Sequence, residues 1–378
     1  MDSVVIAGFA RSPFHPANKG ALAKVRPDDL AAQVIRGLIE RTGVDAADIE
    51  DLIVGCAFPE GEQGLNVARL IGLLSDLPLS VGGMTVNRFC GSSMSAIHYA
   101  MGQIAIGSGE AFICAGVESM SRVPMMGFNP MPNPALAKSS GVYMSMGETA
   151  ENVATKYQIP RGDQESLAVE SHKRAAAARD AGKFSDEIVP IQTAAGMVDQ
   201  DGTIRAGTSE ADLAALKPAF DKDGSVTAGT SSPLTDGASA VLVVTERYAK
   251  AKGLPILARI KSVAISGCDP ATMGLGPIAS SRKAMERAGI AANDLSVVEL
   301  NEAFASQAIA CMRDLGLDTA KTNIDGGAIA LGHPLGATGA RIVGKAASLL
   351  KREGGKYALA TQCIGGGQGI ATVLEAAE

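Results

Sequence analysis

The sequence lacks the features that would place it in a membrane or against a polyanion. No apolar run reaches the ~20 residues needed to cross a bilayer. The opening stretch, Met1 to Ala10, is short and apolar, without a basic n-region or a cleavage site, so it reads as a first strand rather than a signal peptide. The net charge is −6, which argues against a general attraction to DNA, RNA or anionic lipid. A phosphate-bearing ligand would need a local basic pocket. A cytoplasmic protein is expected.

Paired cysteines are missing as well. The six cysteines stand at 56, 90, 114, 268, 311 and 363, with no C-x-x-C and with long, irregular gaps. That spacing argues against structural zinc and against a disulfide framework, and no metal site is expected. In a reduced compartment these are free thiols, most of them small buried hydrophobes. The question is which ones are not.

The chain has 378 residues, enough for two or three domains at roughly 150 residues each. Hydrophobic residues make up 46% and charged residues 20%, an ordinary folded composition. Glycine is over-used, at 44 residues against the usual ~7%. It clusters at Gly82-Gly83, Gly326-Gly327, Gly332 to Gly339 and Gly365-Gly366-Gly367. Such clusters mark tight turns and close approach of backbone to ligand, and they are also common in closely packed α/β proteins.

The first part of the chain alternates strand and helix patterns. Val4–Gly8, Ile49–Val54, Met84–Arg88 and Ala111–Ala115 read as strands; Asp29–Arg41, Asn66–Leu74 and Ser92–Ile106 read as helices. This rhythm predicts an α/β fold with a mainly parallel sheet. From about Glu118 to Gly224 the rhythm lapses into a polar, Met- and Pro-rich stretch with a charged helix around Gln164–Ala181. It resumes at Ser239–Val244 and continues to strands at Tyr357–Thr361 and Ile370–Leu374. The expected division is an N-terminal α/β repeat from 1–117 and 225–250, an inserted loop domain at 118–224, and a C-terminal α/β repeat at 251–378.

The two ends repeat each other. Thr42-Gly43-Val44-Asp45 to Ile49 resembles Ala288-Gly289-Ile290-Ala291 to Leu295, a displacement of 246 positions. The strand near Phe112 and the strand near Ala358 differ by the same amount, and Cys90 falls opposite Gly336. One constant displacement across three elements implies a duplicated unit whose copies pack together. Equivalent strand ends then share one cleft, with Cys90 facing the Gly332–Gly339 loop.

Four segments there carry chemistry. Cys90 lies in Asn87-Arg88-Phe89-Cys90-Gly91-Ser92-Ser93, at a strand-to-helix turn, where the positive end of the helix dipole favours thiolate. His333 is boxed between Gly332 and Pro334, which fixes its backbone and aims its imidazole. Cys363 precedes three glycines, among them Gly365, whose free N–H groups can form an oxyanion hole. Asn301, in Asn301-Glu302-Ala303-Phe304-Ala305, leaves a buried strand opposite Gly55. Each has a plainer reading: a core cysteine, a Gly-rich turn, a helix-capping asparagine. Of the other histidines, His98 lies about 12 Å along a helix from Cys90, His172 is expected in solvent on a charged helix, and His15 in a loop. Two thiols, a fixed histidine, an amide and a glycine loop at converging strand ends suit acyl transfer by a Cys–His pair.

These segments resemble the thiolase family across nearly the whole chain. The motifs are NRFCGSS at Asn87–Ser93, TAG…S…DGASA at Thr227–Ala240, NEAFA at Asn301–Ala305, GGAIALGHPLGATGAR at Gly326–Arg341 and CIGGGQG at Cys363–Gly369. The resemblance implies a duplicated α-β-α-β-α layered fold with a loop domain, a homodimer or homotetramer, and coenzyme A as substrate with no permanently bound cofactor. It implies that Cys90 attacks the 3-keto carbon and holds the acyl group. His333 would activate Cys90 and, with a water held by Asn301, stabilise the thioester enolate. The N–H groups of Cys90 and Gly365 would bind the other oxyanion, and Cys363 would be the acid/base. Ser232 matches a position that contacts pantetheine, and Arg205 is a candidate phosphate partner or a solvated surface arginine.

Three departures from the family pattern are present. Ser93 and Met94 stand for the usual Gly and Leu, which predicts an altered helix start. Thr230 and Asp325 each stand for a common Asn. The run Ser145-Met146-Gly147-Glu148-Thr149-Ala150-Glu151, without the His-Met-Gly of acetoacetyl-CoA-making members, and Val298-Glu299-Leu300 before NEAFA resemble the degradative 3-ketoacyl-CoA thiolases of fatty-acid β-oxidation. The alternatives are an acetoacetyl-CoA-specific acetyltransferase and a non-catalytic acyl-CoA-binding protein. A ketoacyl synthase of the same fold would pair its cysteine with two histidines.

Overall fold

The computed structural model describes residues 2–139 and 141–377. Its strands are β1 (Val4–Arg11), β2 (His15–Pro16), β3 (Asp51–Gly55), β4 (Gly82–Val86), β5 (Ala111–Ser119), β6 (Ile191–Thr193), β7 (Gly196–Val198), β8 (Thr235–Thr245), β9 (Ala258–Gly267), β10 (Leu295–Leu300), β11 (Tyr357–Ile364) and β12 (Gln368–Glu375). All but β6 and β7 join one sheet in the order β10-β11-β12-β9-β1-β8-β5-β3-β4, with β2 on β8.

The sheet is mixed rather than mainly parallel. β3 pairs in parallel with β4 and β5, and β10 with β11; the β1, β8, β9 and β12 ladders are antiparallel. The reason is visible between β11 and β12, where only Gly365–Gly367 connects the strands. A parallel pair needs a crossover of a dozen residues or more. The helix-strand rhythm of the sequence does not report this return.

The repeat is present in the hydrogen-bond register itself. β3 pairs with β5 as Asp51↔Phe112, and β10 with β11 as Val297↔Ala358. Each partner of the second pair lies 246 positions beyond its counterpart in the first.

Alternation along the strands sorts the core into layers. From β1, Val5 and Ala7 face one cluster, shared with Leu30, Val34 and Leu38 of the Pro27–Thr42 helix. Val4, Ile6 and Phe9 face another. That second cluster also takes Ile53, Val241, Ala358 and Ile370 from both halves of the sheet, and Met94, Ile97, Ala340 and Val343 from two helices, Ser92–Ala105 and Leu335–Glu353. A third cluster places Leu359, Ala371 and Val373 against the Gly276–Ala288 and Ala305–Leu315 helices. Side chains of successive strand residues point to opposite faces, so these clusters define helix, sheet, helix pair, sheet, helix. The central helix pair is the layer that positions the site, because both helices start at it.

Residues between β5 and β8 form the Pro134–Ser139, Met146–Lys156, Arg161–Asp180 and Glu210–Ala214 helices and the β6–β7 hairpin. A buried chain of ion pairs ties this stretch to both repeats. Arg11 pairs with Glu187 and Asp201, Glu187 with Lys345, and Lys345 with Asp325. Asp325, one of the departures noted above, therefore anchors that chain, and Arg352 completes it with two bonds.

Candidate active site

Cys90 sits in a tight turn, Phe89–Gly91, between β4 and the Ser92–Ala105 helix. Phe89 takes φ 44°, a left-handed conformation rare for an aromatic residue. Its N–H donates to Asn87 Oδ1 at 2.8 Å, and its ring packs on Phe58 with centroids 5.8 Å apart. Ser92 Oγ donates to the Phe89 carbonyl at 2.6 Å and accepts the Arg88 N–H at 2.9 Å. Ser93 lies inside the helix, and its hydroxyl accepts the Ala340 N–H from the second repeat at 2.8 Å. The departure from Gly at this position thus adds a bond between the two central helices.

Cys90 is buried in one apolar cluster with Ala57, Met120 and Leu335. Leu335 opens the Leu335–Glu353 helix, which takes up the second part of the Gly332–Gly339 stretch expected as a loop, and the two copies do face each other there. Gln362, one residue before Cys363, donates its side-chain N–H to the Cys90 carbonyl. The strand carrying one thiol therefore holds the backbone of the other. Cys363 lies among Met273, Phe304, Ala150 and Val226.

His333 follows Gly332, whose φ of 98° and ψ of 165° belong to a region open essentially to glycine alone. The His333 N–H donates to Thr235 Oγ1 at 3.0 Å. Nδ1 lies 2.6 Å from Thr338 Oγ1, and that hydroxyl donates its own proton to the Pro334 carbonyl. The hydroxyl oxygen is thus an acceptor toward the ring, so Nδ1 carries the imidazole proton. Nε2 keeps its lone pair, 3.4 Å from Asn301 Nδ2. Asn301 is fully buried, its N–H on the Thr361 carbonyl and its Oδ1 without a protein partner. An orphaned acceptor beside a basic nitrogen is a place for a polar ligand atom or a water.

Burial dominates the electrostatics. It pushes the Cys90 thiol up to about 11, while the nearby backbone N–H groups of Gly365 and of Cys90 itself pull the other way. The expectation that the helix dipole favours thiolate is therefore overridden: removing a charged sulfur from water outweighs it. Burial, and then the Cys90 thiol, push Cys363 well above the ordinary thiol range. His333 is lowered to about 3, first by burial and then by the positive charge of Arg341. At neutral pH the resting pair is a thiol and a neutral imidazole.

Two candidate binding residues stand elsewhere. Ser232 is half-buried, its N–H donating to Ala303 in the NEAFA segment at 3.0 Å. Arg205 is exposed, with its N–H on His172 Nδ1 at 3.1 Å and its guanidinium 3.2 Å from Nε2. His172 is buried, at 1% exposure, rather than solvated; the composition of the Arg161–Asp180 helix does not report that Arg205 covers this side chain. His15 lies in β2 rather than a loop, bonded to the Gln200 carbonyl. Thr230, where the family often has Asn, caps its turn by accepting the Thr227 N–H at 3.0 Å. Thr338 and Gln362 were not legible as site residues; the signal available for Thr338 was its position one helical turn after Pro334. Among the described residues no group of His, Cys, Asp or Glu is arranged to hold a metal ion.

Residues 4–247 match the thiolase N-terminal domain and residues 254–376 the thiolase C-terminal domain. The chain belongs to the thiolase family. A 3-ketoacyl-CoA thiolase of Bacillus subtilis (strain 168) is 46% identical over 389 aligned positions, covering 99% of this chain and 100% of that protein. One from Shewanella sp. (strain ANA-3) is 48% identical over 388, with the same coverage. The crystal structure of human mitochondrial 3-ketoacyl-CoA thiolase in complex with CoA superimposes with a TM-score of 0.92 at 36% identity, covering 100% of this chain and 98% of that one. The layered, duplicated thiolase architecture read from the sequence is thereby shown, with the mixed sheet as its one amendment.

Proposed function

We propose that this thiolase cleaves 3-ketoacyl-CoA with CoA to give acetyl-CoA and a shortened acyl-CoA, in the degradative direction of β-oxidation, through an acyl group on Cys90. The observation that carries the reading is that Cys90 is buried against Leu335, two residues after His333, while Gln362, next to Cys363, holds the Cys90 carbonyl. A thiol, a basic imidazole nitrogen and a second thiol on converging segments are the groups that acyl transfer needs, and the N–H groups of Cys90 and Gly365 are proposed as the oxyanion donors. The names of the relatives support the same substrate class.

Each proton in the cycle has a place. His333 Nε2 takes the Cys90 thiol proton as the sulfur attacks the 3-keto carbon. The carbon–carbon bond then breaks, and its electron pair becomes the enolate of acetyl-CoA, stabilised by His333 and the Asn301 side. Cys363 gives its proton to that carbanion centre. The Cys363 thiolate then takes the thiol proton of incoming CoA, whose sulfur attacks the acyl-Cys90 carbonyl. Cys90 leaves as thiolate and recovers its proton from His333. A raised thiol suits Cys363 for this work, because a weak acid returns as a strong base.

Ser232 and Arg205 are proposed contacts for the pantetheine arm and a CoA phosphate, and 118–224 the loop domain that covers the substrate. The segment's ion-pair chain to both repeats supports its role as a fixed cover. A homodimer or homotetramer is proposed, supported by β4 ending the sheet as an edge strand that a second copy can extend. A cytoplasmic location is proposed, supported by six free cysteines. Among the described residues no helix is long and apolar enough to cross a membrane.

The test is a spectrophotometric thiolysis assay with 3-ketoacyl-CoA substrates of several chain lengths. CoA-dependent loss of substrate is expected. No loss at any length removes the enzyme reading; loss with acetoacetyl-CoA alone replaces the degradative reading with the acetoacetyl-specific one.

A further inference from the structure

Glu118 is a buried carboxylate, 1% exposed, near the end of β5. One oxygen, Oε2, accepts the N–H of Ala57 at 2.8 Å and of Gly336 at 2.9 Å. The other, Oε1, accepts Gln63 Nε2 at 2.8 Å, the Phe58 N–H at 3.3 Å and the Cys56 thiol at 3.7 Å. Ala57 and Gly336 belong to different repeats, so this side chain spans the boundary between them.

From each end a short path leads to a reacting group. The Ala57 carbonyl accepts Asn87 Nδ2 at 3.0 Å, and Asn87 Oδ1 accepts the Phe89 N–H at 2.8 Å. Phe89 sets the turn that presents Cys90. On the other side, Gly336 lies in the first turn of the Leu335–Glu353 helix, where Thr338 holds His333 Nδ1. There is little slack at this junction. A Cβ on Gly336 would stand 2.7 Å from the Val117 carbonyl oxygen and 2.8 Å from Cys56 Cα and the Gly55 oxygen.

We propose that Glu118 is a positioning residue that sets Cys90 against His333 across the repeat boundary, so that proton transfer between them depends on it. The proposal rests on the roles given to Cys90 and His333 above. Glu118 touches neither of them. Its charge opposes thiolate formation at Cys90 rather than promoting it, so its contribution is geometric. Five donors converge on it, and an ionised carboxylate is the side chain that only accepts. Glutamine would turn one oxygen into a donor that meets donors.

The test compares full-length wild type with Glu118→Gln and Asn87→Ala. Single-turnover acylation of Cys90 by a 3-ketoacyl-CoA, alkylation of Cys90 by iodoacetamide across pH, and the melting temperature are measured together. Glu118→Gln is expected to slow acylation on the order of 10²-fold, with KM little changed, as a small misplacement of reacting groups does. Removing the Glu118 charge alone would move Cys90 alkylation to lower pH. The loss of the His333 contact is expected to outweigh this and move it to higher pH; a move to lower pH overturns the proposal. Asn87→Ala, which cuts only the path to Phe89, should shift both in the same direction by less. A lower melting temperature with unchanged acylation per folded molecule and an unchanged alkylation profile overturns the proposal. Should Glu118→Gln fail to fold, wild-type acylation in Asn87→Ala overturns it alone. No acylation in the wild type removes instead the reading of Cys90 on which the proposal stands.

Discussion

The ring nitrogen Nδ1 of His333 lies 2.6 Å from the Thr338 hydroxyl, and this contact decides which nitrogen of the ring is basic. Replacing Thr338 by valine keeps the shape and removes the acceptor. The imidazole then loses its tautomer preference, and a buried N–H is left unpaired at a cost of about 1–3 kcal/mol. We predict that kcat falls on the order of 10²-fold with a smaller change in KM, since general-base catalysis contributes 10²–10⁴. Steady-state kinetics of Thr338→Val check this; wild-type kcat would show that the tautomer is fixed by something else.

Gly332→Ala should damage both stability and activity. The φ of 98° is strained for any side chain, and the new Cβ would meet Thr235, 2.7 Å from Cγ2. Thr235 also holds the His333 N–H, so relief of the clash moves the imidazole. Backbone strain of this type costs about 1–3 kcal/mol. Denaturant unfolding should report that loss, alongside a fall in kcat. An alanine variant as stable and active as wild type would contradict the argument.

Acid should destabilise the protein in part through its histidines. His333 is lowered to about 3 and His172 to about 4, both first by burial. Below an unfolded value near 6.5 the unfolded chain takes up protons that the native state refuses, so stability is full above pH 6.5 and falls as pH drops toward those values. Each such histidine contributes about 1.4 kcal/mol per pH unit in that window. His172→Gln should therefore have a shallower acid slope than wild type between pH 6 and pH 4 (roughly the window implied by linkage). Parallel curves of unfolding free energy against pH would rule this out.

The buried ion chain gives a prediction about the stretch between β5 and β8. Lys345 pairs with Glu187 and Asp325, each at 2.8 Å. Removing one partner of a buried pair costs about 3–5 kcal/mol. Glu187 retains Arg11 and Asp325 retains Arg352, which places Lys345→Met near the lower end. Chemical denaturation measures the loss; a change under 1 kcal/mol (about the worth of an exposed pair) would mean that the chain of pairs contributes little.

The layered fold was legible because a duplication leaves a constant displacement and because buried strands and amphipathic helices differ in period. The antiparallel returns at β8 and β12 were not, since strand direction depends on connections that periodicity does not record. Cys90, His333, Cys363 and Asn301 stood out through the glycine, proline and motif context around them. Thr338, Gln362 and Glu118 did not, because each acts through a hydrogen bond to a residue distant in sequence or to a ring whose orientation only the fold sets. Burial misled in two places. The Cys90 turn suggested a thiolate, and the charged helix suggested a solvated His172; in both, what covers the side chain comes from another part of the chain.

The central claim is that Cys90 carries the acyl group and Cys363 moves the protons. Intact-mass and peptide mass spectrometry after brief incubation with a 3-ketoacyl-CoA, without free CoA, tests it most directly. The account predicts an acyl adduct on Cys90 in the wild type, none in Cys90→Ser, and a slowly discharged adduct in Cys363→Ala. An adduct on another residue, or full turnover by Cys363→Ala, would contradict it.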